Sequence, residues 1–225
     1  MDREKGIGKI ADVLLELLYP TRCCFCRRLT GRGVTVCPSC AAVYPDVPPA
    51  MQTQRLDGLE ACLSPLWYAG QIREALLRYK FQDRRGYAPV FGGFMAKCLD
   101  ENGISCDSIT WAPLSRRRLR SRGYDQAGLL AATVAERTGL PCQVLLEKTK
   151  HTRPQSGLKR REARRENAAG AYRAVNTENI AGKRILLVDD IVTTGETLME
   201  CARVLKAAGA RSVTAVTAAR RRDRV

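Results

Sequence analysis

Two continuous apolar runs, RILLVDD (184–190) and SVTAVTAA (212–219), flank the amphipathic stretch GETLMECARVLKAAG (195–209). A strand buried on both faces reads as an unbroken apolar run, because it has no solvent face on which to place polar residues. Two such strands joined by a helix cannot pair as a hairpin; the connection requires a parallel crossover. Upstream segments extend the pattern. LSPLWYA (63–69), DSITWAPL (107–114) and QVLLE (143–147) read as strands. IREALLRYKFQD (72–83), PVFGGFMAKCLDENG (89–103) and YDQAGLLAATVAERTG (124–139) carry helical periodicity. The expectation is an α/β domain with a parallel sheet flanked by helices.

In such a sheet the functional crevice lies at the carboxyl ends of the strands. Asp189 and Asp190 fall there, followed by IVTTG and a helix that starts near Glu196 or Thr197. The helix start offers free backbone N–H groups, and the hydroxyls of Thr193, Thr194 and Thr197 add to a phosphate cradle. Gly195 lets the backbone approach an anion. Two acids beside such a cradle disfavour phosphate alone but suit a phosphorylated sugar, whose vicinal hydroxyls donate to carboxylates. A simple helix cap accounts for one acid and one threonine, not for the whole string.

The other spacing signal is Cys23-x2-Cys26 followed by Cys37-x2-Cys40. Each pair presents two thiolates to one side of a metal, and two facing pairs complete a tetrahedral, closed, structural zinc site. Cys24 is a competing donor, although the two-residue gap favours Cys23. Cys62, Cys98, Cys106, Cys142 and Cys201 are scattered and read as core residues. The expected organisation is an amphipathic helix and four-cysteine zinc ribbon over residues 1–50, then the α/β domain over 51–225.

At 45% apolar residues the chain is rich enough to build a core, which excludes global disorder. The formal charge of +15 points to an anionic partner. It is unevenly placed: residues 1–60 carry 8 Lys and Arg against 7 Asp and Glu, and the remainder 30 against 16. IADVLLELL (10–18) is too short and too charged to cross a bilayer, so a cytoplasmic location without a membrane span is expected. SRRRLRSR (115–122) holds five arginines in eight residues just beyond a strand's carboxyl end, suited to a pyrophosphate. KTKHTRPQSGLKRREARR (148–165) reads as a basic lid loop; its His151, the only histidine, is assigned no catalytic part.

The string ILLVDDIVTTGET resembles the signature of type I phosphoribosyltransferases. With the paired cysteines and the stretches 78–89, 112–131 and 150–172, the whole chain resembles the ComF family, in which a four-cysteine zinc ribbon precedes a phosphoribosyltransferase domain. The resemblance implies a type I phosphoribosyltransferase-like sheet. It implies that Asp189 and Asp190 hold the ribose hydroxyls of phosphoribosyl pyrophosphate, and that Thr193, Thr194, Gly195 and Thr197 hold its 5′-phosphate. Ser115, Arg116, Arg117 and Arg118 occupy the pyrophosphate-loop position, and residues 148–166 that of the catalytic lid. Ser115 stands where histidine is common in the family, and Asp125 where asparagine is common.

Two functions follow from that resemblance. In one, magnesium accompanies the pyrophosphate, whose departure from ribose C1 leaves positive character beside Asp189 and Asp190 for an acceptor to attack. In the other, the protein handles transforming single-stranded DNA, or docks to other DNA-uptake proteins, and uses the pocket for ligand sensing. The basic stretches carry few aromatics, so stacking platforms for bases are scarce.

Overall fold

The computed structural model describes residues 20–149 and 170–222. The segment IADVLLELL, His151 and most of the basic stretch 148–166 lie outside them. The chain divides into two compact units, Met1–Tyr44 and Pro45–Val225.

The described part of the first unit is mostly turns, with one short helix, α1 (Pro38–Ala41), opened by a proline at its start. Its interior holds Cys23, Cys24, Phe25, Cys37 and Cys40. Phe25 and Tyr44 pack with ring centroids 4.7 Å apart.

In the second unit the strands are β1 (Thr53–Gln54), β2 (Cys62–Leu63), β3 (Leu66–Trp67), β4 (Ser108–Trp111), β5 (Leu146–Lys148), β6 (Tyr172–Ala174), β7 (Arg184–Val192) and β8 (Ser212–Arg220). The helices are α2 (Gly70–Phe81), α3 (Ala88–Glu101), α4 (Arg116–Arg122), α5 (Gln126–Thr138) and α6 (Glu196–Ala207). The main sheet runs β1-β2-β8-β7-β4, with β3 also paired to β8. It is parallel except at one edge, where β1 runs antiparallel to β2. The sheet is thus mixed and mostly parallel. α5 packs on β4 and β7, α3 on α5 and β8, and α6 on β7 and β8.

Three differences from the sequence pattern have local causes. The run 63–69 is not one strand: β2 and β3 both add to β8, and the break falls at Ser64–Pro65, where proline supplies no N–H. Ser64 turns its hydroxyl to Thr217 at 2.7 Å instead. The strand at 143–147 shifts to Leu146–Lys148 and joins β6 in a separate antiparallel pair. Residues 116–122 form a helix rather than a loop, capped by the Ser115 hydroxyl on the Arg118 N–H and ended by left-handed Gly123.

The first glycine of the pair in α3 also gains a reason. A Cβ on Gly92 would lie 2.6 Å from Thr133 Cβ, so the crossing of α3 and α5 is close enough to require glycine.

Candidate functional sites

The first unit gathers Cys23, Cys26, Cys37 and Cys40, whose sulfurs all lie within 4.8 Å of one another. A zinc–sulfur bond of about 2.3 Å places tetrahedral sulfurs roughly 3.8 Å apart. The Cys26 to Cys37 separation of 3.6 Å fits that geometry. Burial is the largest influence on both Cys23 and Cys40. At Cys23 it is outweighed by the backbone N–H groups of Cys37, Cys26 and Phe25, which hold the thiol down to about 6. At Cys40 burial and the neighbouring sulfurs act together and push it up to about 12. Cys24 is buried outside the cluster, its N–H donated to the Thr35 carbonyl at 2.8 Å. A closed four-cysteine cluster of this kind can bind zinc.

The second unit builds its site at the carboxyl end of β7. The strand does not stop at the acids; it continues to Val192, so Asp189 and Asp190 are strand residues. Successive side chains of a strand point to opposite faces. Ile185 and Leu187 pack in the α6-side core with Leu198, Cys201 and Leu205. Asp189 continues that parity, and its charge is felt by Cys201 and Tyr172. Asp190 has the opposite parity, and its charge is felt by Tyr79 and Asp125. The two side chains leave the strand on opposite sides, although Asp189 still feels the charge of Asp190.

Each acid is held. Asp189 Oδ1 accepts the Asp190 N–H at 2.8 Å. Asp190 Oδ2 lies 2.9 Å from Lys80 Nζ, which comes from the last turn of α2. Burial, and then the charge of Asp190, push the Asp189 carboxyl up to about 8.

Both acids line a cavity of about 430 Å³ together with Thr193, Thr197, Arg118, Lys148 and Tyr172. Tyr68, Leu77 and Phe81 give the same cavity an apolar part. Lys148 donates to the Tyr172 hydroxyl at 2.9 Å, and the Thr197 side chain hydrogen-bonds to Tyr172 as well. Burial, then the Arg118 charge, lower the Lys148 ammonium.

Gly195 and Thr194 lie in the turn that leads into α6. Gly195 caps α6 at φ +80°, and a Cβ there would stand 2.8 Å from Leu56 Cδ1. Its missing side chain therefore makes room for Leu56. Thr194 precedes Gly195 in the same turn, half-buried.

The three arginines expected at the pyrophosphate, Arg116, Arg117 and Arg118, divide between two cavities. Arg118 lines the one with the acids, whereas Arg116 and Arg117 line a second, of about 360 Å³, with Glu147, Thr149 and Arg173. Glu147 draws both Arg116, at 2.9 Å, and Arg173, at 2.6 Å. Lys148 borders both cavities. Asp125, where the family resemblance leads one to expect asparagine, accepts from Trp111 Nε1, Leu114 N and Gly128 N. It thereby ties the loop after β4 to the start of α5, a task that needs acceptors only.

Sequence reasoning missed Lys80, Lys148, Tyr68 and Tyr172 as site residues. Lys80 and Lys148 lay within stretches singled out for other reasons, and no local spacing links either to the acids.

Comparison with known proteins agrees with this architecture. Residues 121–225 match the phosphoribosyl transferase domain family. The chain is 34% identical over 109 residues to competence protein F of Haemophilus influenzae, an alignment covering 48% of this chain and 47% of that protein. It is 28% identical over 218 residues to DNA utilization protein YhgH of Escherichia coli K12, covering 92% of this chain and 94% of that one. Among solved structures, glutamine phosphoribosylpyrophosphate amidotransferase from B. subtilis superposes with a TM-score of 0.44 at 23% identity, over 63% of this chain and 30% of that one. The domain match and the mostly parallel sheet flanked by helices describe a phosphoribosyltransferase-like domain. The four-cysteine cluster, the domain match and the relatives above together match a ComF-like protein. Among the described residues no helix is long and apolar enough to cross a membrane.

Proposed function

We propose that the second unit binds phosphoribosyl pyrophosphate or a related phosphoribosyl ligand and displaces pyrophosphate at ribose C1. The observation that carries this reading is a single cavity lined by Asp189, Asp190, Thr193, Thr197, Arg118 and Lys148. Carboxylates accept from the ribose hydroxyls, while hydroxyls and the N–H groups at the start of α6 take the 5′-phosphate, with Thr194 and Gly195 shaping that turn. Arg118 and Lys148 offset the charge of the departing pyrophosphate. Arg116 and Arg117, at the second cavity, stand apart from that role. Positive character developing at C1 is stabilised by the negative charge that the acid pair carries, an electrostatic contribution fixed before reaction begins.

A metal held directly by the acid pair would compete with partners the carboxylates already have. One Asp190 oxygen is engaged by Lys80 and one Asp189 oxygen by a backbone N–H. Magnesium therefore belongs with the pyrophosphate as part of that ligand, and no step is routed through it. Zinc, in contrast, fits the cysteine cluster, where it holds the first unit together without entering the chemistry.

Replacing Asp190 by Asn should abolish binding of phosphoribosyl pyrophosphate by calorimetry while the thermal transition persists. Unchanged affinity would refute the assignment.

A second reading, single-stranded DNA handling or docking to other uptake proteins, draws on the cationic lining of the second cavity and on the names of the relatives. Its signature is steeply salt-dependent binding to single strands, reduced by Arg116→Ala and Arg117→Ala but not by Asp190→Asn.

A further inference from the structure

The last turn of α2 delivers a cation to the acid pair, and it is pinned from several directions. The Tyr79 hydroxyl donates to the Gln126 carbonyl at 2.8 Å, and the Tyr124 hydroxyl donates to the Tyr79 carbonyl. Gln126 Nε2 donates to the Lys80 carbonyl at 3.4 Å. The Arg122 guanidinium lies 4.8 Å from the centroid of the Phe81 ring. Backbone and neighbouring side chains thus fix Lys80 on the α5 side of β7, the side to which Asp190 points.

Shielding decides how much the resulting pair matters. The Lys80 and Asp190 side chains are only 19% and 15% exposed, and their polar atoms meet at 2.9 Å. Exposed ion pairs contribute little, but removing one partner of a shielded pair leaves the other charge poorly solvated. Asp190 without a cation would repel both Asp189 and Asp125, whose carboxyls already feel its charge. A carboxylate has two oxygens and about four acceptor positions, so Lys80 leaves room for a ligand hydroxyl on Asp190.

We propose that Lys80 is the resident cation of the acid pair, taking at Asp190 the place of a divalent ion, so that the sugar-phosphate half of the ligand binds without metal. The inference rests on the phosphoribosyl reading of this cavity. Lys80 is on this account a positioning residue: it holds the Asp190 carboxylate in place and touches no reacting atom. Any metal requirement then falls on the pyrophosphate half alone.

Ribose 5-phosphate, which lacks pyrophosphate, separates the two halves. Calorimetric titration of the wild-type protein should give the same affinity in chelator and in millimolar magnesium. Lys80→Met should lose about tenfold or more in chelator, the loss expected for stranding a shielded charge. Part of that loss should return with magnesium, and Lys80→Arg should restore binding in chelator, neither of which a merely structural role would produce. Wild-type binding that appears only with magnesium would overturn the inference and leave the phosphoribosyl reading standing. Absence of binding under both conditions would overturn both. Equal affinity of Lys80→Met and wild type in chelator would overturn the role of Lys80. The wild-type comparison decides the metal question even if Lys80→Met fails to fold.

Discussion

Asp189 is where the site sets function against stability. Its carboxyl is pushed from an ordinary 3.8 up to about 8, by burial first and by the charge of Asp190 second. A carboxyl whose value rises on folding contributes stability that is full below the unfolded value and is lost as pH climbs through the folded one. The loss accumulates between pH 4 and pH 8. Asn keeps the oxygen that accepts the Asp190 N–H but cannot ionise. Asp189→Asn should therefore melt several degrees above wild type at pH 8, with the gap closing toward pH 5. A gap that stays constant with pH in thermal scans would show that the carboxyl is not held protonated by its surroundings. Asp190 differs because Lys80 is beside it, and its replacement should leave Lys80 without its counter-ion and lower stability.

At the scale of elements, the turn from β7 into α6 is tightly constrained. Gly195 combines φ +80° with the approach of Leu56, and both forbid a side chain. Gly195→Ala should cost about 1–3 kcal/mol in denaturant titrations, part strain and part overpacking. Adding Leu56→Ala should recover the packing part relative to Leu56→Ala alone and leave the backbone part. Full recovery would mean that the backbone angle costs nothing. This joint was legible in the sequence because its signals are local: continuous apolar runs, paired acids and Thr-Thr-Gly followed by a helical pattern. The α5 start was legible for the same reason, with Asp125 accepting from Gly128 N as its cap. Local signals failed at α4, where five arginines mask any apolar period and the helix depends on Ser115 and Gly123 at its ends. They failed at β5 and β6, whose pairing joins segments far apart in the chain. Lys80 was illegible as a site residue because only the pinning of α2 against residues 122–126 brings it to Asp190.

For the whole molecule, the two units draw stability from different sources. The second buries a continuous core around β7 and α6, including Leu187, Leu198, Leu205 and Val213. The described part of the first has one four-residue helix and an interior centred on cysteines and Phe25. A segment that small buries little apolar surface against its chain entropy, and on the zinc reading metal ligation supplies the difference. Purified protein should then carry about one zinc per chain, as four cysteines provide one closed tetrahedral set. Titration with a strong chelator should release that metal and expose the four thiols to a colorimetric reagent. Ribose 5-phosphate binding, which uses residues of the second unit only, should persist in the chelated protein. Cys37→Ser should lose the zinc, whereas Cys24→Ser should keep it, because Cys24 lies outside the cluster. Metal retained by Cys37→Ser, or lost from Cys24→Ser, would reassign the ligand set. Loss of sugar-phosphate binding on chelation would show that the first unit's fold is a condition for the second unit's site.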